Sequence, residues 1–312
     1  MNKRRAPTLQ KKTWKRILTN WRLYVLLLPA IAYYIAFQYV PMYGVVLAFK
    51  KLTIKGGLLG SPWADPPSFY FKQLFADPAF WNALKNTLMI GIYKLVFYFP
   101  VPILIAILLH EIRGKMFKKT VQTIIYLPRF ISWTIMASLV MNILSVNGGV
   151  LNSIITAFGG EPVNFLMDAS KFRTILVITT ILKDAGWGSI IYYAAISGVS
   201  PELYEACEID GGSRLTKMWH VTLPAIKPTI TIMLILTIGN ILIQDTQQVL
   251  TLYSPNVYTT GDILGTYIFR TGIQNARYSF ATAANLFNSL VSLVLILIAN
   301  GMSKKLGEES LF

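Results

Sequence analysis

Hydrophobic residues fill most of this chain in long runs, and short polar stretches separate the runs. A transmembrane helix needs about 20 consecutive, mostly apolar residues, and six runs reach or approach that length. The pattern therefore predicts an all-α polytopic membrane protein with six transmembrane helices. The predicted helices lie at about 23–48, 86–110, 120–145, 173–198, 226–250 and 280–300.

Composition and charge agree with a membrane protein and predict where its ends lie. Of the 312 residues, 54% are hydrophobic and 14% are charged, whereas an ordinary soluble domain is about 25% charged. The formal net charge is +15, but the lysines and arginines gather beside the ends of the apolar runs, as in cytoplasmic loops of membrane proteins. This distribution argues against nucleic acid as a partner. It predicts a multi-pass protein of the plasma membrane with both termini in the cytoplasm.

The same pattern divides the chain into three parts. Residues 1–22 form a basic cytoplasmic tail, residues 23–303 form the six-helix domain, and residues 304–312 form a second cytoplasmic tail. The first apolar run lacks the short core and the small-residue cleavage site of a signal peptide. We therefore expect it to be a retained membrane anchor.

Candidates for redox, metal or catalytic chemistry are sparse. The single Cys207 has no internal disulfide partner, and His110 and His220 are far apart in sequence without neighbouring ligands. No nucleophile stands beside an acid–base pair. We expect no catalytic residue, no metal and no cofactor on this chain.

A polar stretch, "YEACEIDGGSRLTKMWHVTLPAIKP", interrupts the apolar pattern near the middle of the chain. Ser200 can cap a helix whose first residue is Pro201, and this helix should run to about Ile209. Gly211 and Gly212 then permit a tight turn through a left-handed conformation. The sequence predicts a short cytoplasmic helix followed by a turn.

A second short helix should follow, capped by Ser213 and ending before Pro224. Neither helix reaches the roughly 12 to 15 residues that an isolated helix needs in water. Something must therefore pack against the loop at 200–228. The alternatives are the surface of a partner and the chain's own membrane domain.

The loop resembles the EAA loop of ABC-importer permeases, in which Glu-Ala-Ala is followed by Asp-Gly-Ala, then Leu-Pro and a final Pro. Cys207 and Gly212 replace alanines of that pattern. The stretches "YVPMYGVVLAFK", "YLPRFISW", "GWGSIIYYAAISGVSPELYEA", "DILGTYIFRTGI" and "GEESLF" are similar to carbohydrate-uptake permeases of the polysaccharide/lipoprotein-linked branch, found mainly in Gram-positive bacteria. The loop residues that match are Glu205, Ala206, Asp210, Gly211, Leu223, Pro224 and Pro228.

The resemblance implies the fold of a type I ABC importer permease and a division of labour between chains. In that family the EAA loop inserts into a cleft on a cytoplasmic ATPase. The chain has no phosphate-binding loop of the form G-x-x-x-x-G-K-S/T, so ATP and Mg would bind to that separate subunit. The residues assigned to ATPase coupling are Glu205, Ala206, Asp210, Gly211, Gly212, Leu223 and Pro224.

The resemblance also implies the other members of the assembly. They are a second homologous permease that forms a heterodimer, two cytoplasmic ATPase subunits and an extracellular lipid-anchored solute-binding protein. The implied solute is an oligosaccharide derived from a complex polysaccharide, and the membrane domain would be surrounded by lipid.

Polar residues inside the predicted fifth helix are candidates for the solute path, because hydroxyl and amide groups suit sugar hydroxyls. If that helix is continuous, they share one face through the spacing i, i+3, i+7, i+10 and i+11. Hydrogen bonds between helices would explain one or two such residues but not a whole row. The residues are Thr237, Asn240, Gln244, Gln247 and Gln248.

Two other runs add candidates for the path. Lys183, Asp184 and Trp187 could supply a charge pair and a ring on which a sugar stacks, although the two charges could also simply neutralise each other. Asn285 and Asn288 lie on a weaker polar face of the last run, which continues with serines.

Two further segments leave alternatives open. In "YLPRFISW", Pro128 predicts a kink or a late helix start, and Arg129 would lie near hydrocarbon or snorkel to the cytoplasmic surface. The outer loop at 55–86 is rich in aromatic residues, which would stack on sugars or lie at the lipid interface.

Two rival functions remain. A secondary transporter would couple through charged groups inside the membrane, for which Lys94, Lys183, Asp184 and Asp245 are the candidates. A membrane-embedded enzyme would need a catalytic constellation that the sequence does not offer.

Overall fold

The computed structural model describes residues 19–305, which form helices and turns without a β-strand in that range. The predicted basic tail up to residue 18 and the closing "GEESLF" lie outside the described residues. The long helices are α1 (Trp21–Phe49), α3 (Pro78–Glu111), α4 (Lys115–Phe130), α5 (Trp133–Leu144), α7 (Ala169–Ser197), α9 (Arg214–Gly239) and α12 (Tyr278–Lys305). The shorter ones are α2 (Phe69–Ala76), α6 (Val150–Ala157), α8 (Pro201–Ile209), α10 (Thr246–Leu252) and α11 (Leu264–Phe269).

The helix lengths confirm an all-α protein with membrane-spanning helices. Within residues 19–305, 5 helices are long and apolar enough to cross a membrane, and α4 with α5 makes a sixth if the pair is one broken span. The break between α4 and α5 bends the chain by 102°. A kink was predicted here because proline lacks a backbone N–H, and Pro128 indeed lies in the 3₁₀ turn Leu127–Phe130.

The predicted fifth helix, 226–250, is wrong as a single element. Helix α9 begins much earlier, at Arg214, and ends at Gly239, after which the chain turns before α10 begins at Thr246. Gly239 and Asn240 are residues that favour a helix end. Asp245 then caps α10, since its Oδ1 accepts hydrogen bonds from the N–H groups of the second and third helical residues at 3.1 and 3.2 Å.

The aromatic outer loop contributes to the core of the protein. Phe80 is fully buried, and its ring centroid lies 5.4 Å from that of Phe287 on α12. Phe75 also contacts Phe287, at 5.5 Å between centroids. These rings pack α2 and α3 against the last membrane helix, which neither the sugar-stacking nor the lipid-interface alternative anticipated.

Buried apolar clusters link the membrane helices, and two of them involve α7. One surrounds Phe172 and Ile175 on α7 and includes Val249 and Leu252 of α10. The other joins α3 and α7 to the start of α9 around Ile226. By contrast, 0% of the apolar window of α1 is buried by the rest of the described chain. Lipid or another subunit must cover that helix, because its exposed side chains are apolar.

Candidate functional site

The loop at 200–228 begins as the sequence predicts. Helix α8 runs from Pro201 to Ile209, although the hydroxyl of Ser200 makes no capping hydrogen bond. Gly211 has φ +76°, in the left-handed region expected for this turn. At Gly212 the reason for glycine is different: an added Cβ would lie 2.6 Å from the carbonyl oxygen of Cys207.

The second half of the loop differs from the prediction of a separate short helix. Ser213 does cap it, since its Oγ accepts from the N–H of Thr216 at 3.3 Å and Thr216 Oγ1 accepts from the N–H of Ser213 at 3.2 Å. The helix does not end before Pro224 but continues through a π turn, Met218–Thr222, into the membrane part of α9. The wider π turn shifts the hydrogen-bond register and lets the helix pass the proline without breaking. The second half of the loop is therefore continuous with a membrane helix.

The chain's own membrane domain leaves the surface of this loop open. No residue of α8 is buried, and Ile209 and Leu215 are 86% and 67% exposed. These apolar side chains are available to a partner, as one of the two predicted alternatives requires. Of the residues assigned to coupling, Gly212 and Leu223 are half-buried, and the exposed ones are Glu205, Ala206, Asp210, Gly211 and Pro224.

Polar contacts hold α8 against the start of α9. Glu208 forms an ion pair with Lys217, and Tyr204 Oη lies 3.2 Å from Thr222 Oγ1. The hydrogen bond from Lys217 lowers the pKa of the Glu208 carboxyl from its ordinary value. A cavity of about 430 Å³ lies between α8 and the C-terminal end of α3, and Glu205 and His110 line it.

In the membrane domain, Lys183 holds the break between α4 and α5. It is 4% exposed, and its Nζ donates to the carbonyl oxygen of Arg129 at 3.0 Å and to that of Ile131. A helix break releases carbonyl oxygens that have no partner within the helix. The ammonium group satisfies these oxygens and is itself neutralised in part by their dipoles, which explains a lysine in the middle of a membrane helix.

Asp184 does not pair with Lys183, so that predicted charge pair is wrong. Its Oδ1 accepts from Arg129 Nη1 at 2.8 Å instead, because adjacent residues on a helix point in different directions. Arg129 is thus held at the break by Asp184. Trp187 follows Asp184 by one turn of α7 and is exposed. Its ring centroid lies 5.6 Å from that of Phe130 in an edge-to-face arrangement.

The second break, between α9 and α10, contacts the first. Trp133, the first residue of α5, donates its indole N–H to Asp245, the capping residue of α10. Gln248 is completely buried, donates to the Leu176 carbonyl at 2.8 Å, and accepts from Lys94 at 3.0 Å. The sequence predicts Gln248 on a solute path and does not single out Trp133. Lys94 does stand out in the sequence, because it is a charged residue inside the apolar run of α3.

The predicted polar face does not exist as one helical face, because α9 ends before most of its members. Thr237 and Asn240 donate to carbonyls one turn earlier in α9, at 2.7 and 2.9 Å, and Gln244 donates to Ile241 at 2.6 Å within the turn that follows. Asn240 and Gln247 are exposed, while Thr237 and Gln244 are half-buried.

The last helix carries the remaining path candidates. Asn285 is exposed and lines a cavity of about 620 Å³ together with Thr246 of α10 and Tyr278. One turn further, Asn288 Oδ1 and Ser292 Oγ are buried without a hydrogen-bond partner among the described residues. Within residues 19–305, no group of three or more His, Cys, Asp or Glu residues could hold a metal ion.

Comparison with known proteins identifies the family. Residues 99–307 match the family described as "Binding-protein-dependent transport system inner membrane component". The chain is 42% identical over 303 residues to the polygalacturonan/rhamnogalacturonan transport system permease protein YteP of Bacillus subtilis (strain 168), covering 97% of this chain and 94% of YteP. It is 41% identical to Protein LplB of the same organism, covering 99% and 98% of the two chains.

Solved structures agree with these relatives. A chain of a bacterial ABC transporter involved in the import of the acidic polysaccharide alginate matches with 42% identity and a TM-score of 0.85, covering 94% of this chain and 99% of that one. A chain from a bacterial alginate ABC transporter in complex with an alginate pentasaccharide-bound periplasmic protein matches with 40% identity, a TM-score of 0.85 and coverage of 96% and 99%. The matches confirm the predicted resemblance and a non-enzymatic role in transport. The chain belongs to the family of inner membrane components of binding-protein-dependent transport systems.

Proposed function

We propose that this chain is the permease subunit of an ATP-driven importer of oligosaccharides derived from acidic polysaccharides. The relatives named for polygalacturonan/rhamnogalacturonan and for alginate support an acidic solute. Lysine and arginine side chains outnumber carboxylates near the helix breaks in the membrane domain. This supports the same solute class, because an anionic solute would balance the excess positive charge.

The observation that carries the proposal is the cytoplasmic loop, which exposes an apolar surface and continues directly into α9. A separate ATPase that binds ATP and Mg²⁺ would dock on this surface, and its movement would reach the membrane centre through one continuous helix. In this proposal α8, with Glu205, Ala206 and Asp210, contacts the ATPase. Gly211 and Gly212 shape the turn, while Leu223 and Pro224 join the loop to the membrane helix.

The other partners follow from the same proposal. A second homologous permease would cover the open side of the chain, including α1, and two ATPase subunits would serve the pair. A lipid-anchored solute-binding protein would deliver the oligosaccharide, as the complex of a related transporter with its periplasmic protein suggests. In this proposal α8 and both termini lie on the cytoplasmic side of the membrane.

The solute path would run past the two helix breaks. The exposed Trp187 and Asn240 and the half-buried Asp184 and Gln244 would line the path at the breaks. Thr237, Asn285 and Asn288 would lie along the same route. Lys183 and Gln248 are buried and would position the breaks without touching the sugar.

Reconstitution of the complete importer in lipid vesicles tests the proposal. With its partner permease, ATPases and solute-binding protein, the chain should accumulate labelled oligogalacturonate only when ATP is supplied on the ATPase side. Uptake that requires an ion gradient and no ATP would instead support the rival, a secondary ion-coupled transporter.

A further inference from the structure

Charged groups near the centre of the membrane domain do not balance. Lys94, Arg129 and Lys183 carry three positive charges in their ionised forms, while Asp184 and Asp245 carry two negative ones. Lys94 lies near the middle of α3, and the 183–184 pair lies near the middle of α7. A charge in this region is costly unless a partner neutralises it. The arrangement is therefore suited to an additional anionic group.

Of the three cations, Arg129 is the one that remains accessible. Lys183 is enclosed by backbone carbonyls, and Lys94 donates to buried Gln248 at 3.0 Å. The Arg129 side chain is 46% exposed and donates through Nη1 alone to Asp184 at 2.8 Å. A guanidinium carries five N–H donors, and no second acceptor contacts this one among the described residues. The remaining donors are therefore available to an acceptor outside the described residues.

The surroundings of Arg129 combine its charge with aromatic surface. Phe130 and Trp187 are both exposed beside the Arg129–Asp184 pair, with their rings at 83° to each other. The C–H face of a sugar ring packs on an aromatic face, whereas a carboxylate prefers the fork of a guanidinium. A uronic acid residue offers both groups on one ring.

We propose that Arg129 recognises the negative charge of the solute: a solute carboxylate accepts hydrogen bonds from the guanidinium donors that Asp184 leaves unused, while the sugar ring packs on Trp187. This inference rests on the proposed function and names a specificity residue for it. Asp184 pairs with Arg129 whether the path is empty or occupied, and its carboxylate competes with that of the solute for the same cation. Neutral sugars lack a carboxylate for Arg129 and bind less well.

Opposite effects of two substitutions distinguish this role from that of a structural ion pair. The probe is labelled oligogalacturonate, with its methyl ester as a neutral probe of equal length. Binding is measured by equilibrium dialysis against the purified complex of both permeases and the ATPases, without the solute-binding protein. Arg129→Gln should weaken binding of the acid by roughly 10- to 100-fold, the effect of one charge-assisted hydrogen bond. Asp184→Asn should strengthen it by several-fold, because it removes the competing carboxylate.

Controls separate recognition from folding. Lys85→Gln removes an exposed cation from α3 and should leave binding of both probes unchanged. Binding of the methyl ester should change less than about 2-fold in Arg129→Gln and Asp184→Asn. If both variants weaken binding of the acid, or if the ester is weakened in parallel, the pair is structural and the inference is overturned. If the wild-type complex binds neither probe, the proposed solute class is wrong and the inference fails with it.

Discussion

Lys183 shows how one side chain can organise the centre of a membrane protein. A charged residue at mid-membrane costs about 2.5–3.5 kcal/mol on insertion scales, yet here the ammonium group meets carbonyl oxygens that a proline-induced break has released. The cost of the charge and the cost of the break offset each other. Neither residue could be interpreted alone, and only the folded chain brings Pro128 and Lys183 together.

The first prediction concerns Gly211. Its φ lies in the left-handed region, and an added Cβ would meet open space. Gly211→Val should cost about 1–3 kcal/mol through backbone strain alone, which lowers the docked population of α8 by roughly 5- to 150-fold. Solute-stimulated ATP hydrolysis should fall accordingly, with less ATPase subunit recovered in a pull-down. Gly211→Asn is the matched control, since Asn enters this region more readily. Wild-type stimulation in the valine variant would rule out α8 as the coupling element.

The second prediction separates path residues from structural ones. Asn240→Leu and Gln244→Leu should reduce oligosaccharide uptake but leave the complex assembled, because both side chains bond only to backbone of their own segment. Gln248→Leu should instead lower the free energy of unfolding by about 1–3 kcal/mol, because it leaves buried hydrogen-bonding partners unsatisfied. Uptake and the melting temperature of the complex are the measurements. Unchanged uptake in both of the first two variants would make these amides structural.

At the scale of elements, α9 runs from the loop at 200–228 into the membrane domain as one helix that ends at Gly239, beside the second break. In the proposed importer, a force on α8 would pass through the turn and the capping box at Ser213 into this helix. Pro201 and the two glycines predicted the start of α8 and its turn correctly because these signals act locally. The π turn was not predictable in the same way, since Pro224 normally indicates a helix boundary and only the register shift removes that conflict.

The third prediction concerns the contact between α8 and α9. The pKa of Glu208 is lowered by Lys217, so this carboxyl stabilises the loop above its ordinary pKa of 4.5. That contribution is lost as the pH falls through the lowered value. Hydrogen exchange of the amides at 201–217, compared at matched intrinsic rates, should therefore lose protection on acidification. The same loss in Glu208→Gln would contradict the assignment to this ion pair.

Two further variants test the partner in that ion pair. Lys217→Gln should behave like Glu208→Gln, with protection that is already reduced at neutral pH and changes little on acidification. Arg214→Gln removes a neighbouring cation, 4.0 Å from Glu111 and not paired with Glu208. It should keep the pH dependence of the wild-type chain.

At the scale of the whole molecule, hydropathy predicted the six apolar runs but not which of them contain a helix break. An apolar run looks the same whether it is one helix or two that meet at a break, and the segment through Asn240 to Asp245 contains no proline to indicate otherwise. The break is fixed by long-range contacts, chiefly Trp133 with Asp245 and Lys94 with Gln248. The predicted polar face therefore failed, although its residues still lie near the breaks.

The last prediction uses Cys207, the single cysteine of the chain, as a probe of topology and docking. It is half-exposed on α8, so a membrane-impermeant maleimide should label it in inside-out vesicles and not in right-side-out ones. Adding the ATPase subunits should protect it, because they would cover α8. In a Cys207→Ser background, Lys305→Cys should react from the same side without protection, and Ile54→Cys should react only from the opposite side. Labelling of Cys207 from outside would reverse the proposed orientation, and labelling that the ATPase leaves unchanged would place the docking surface elsewhere.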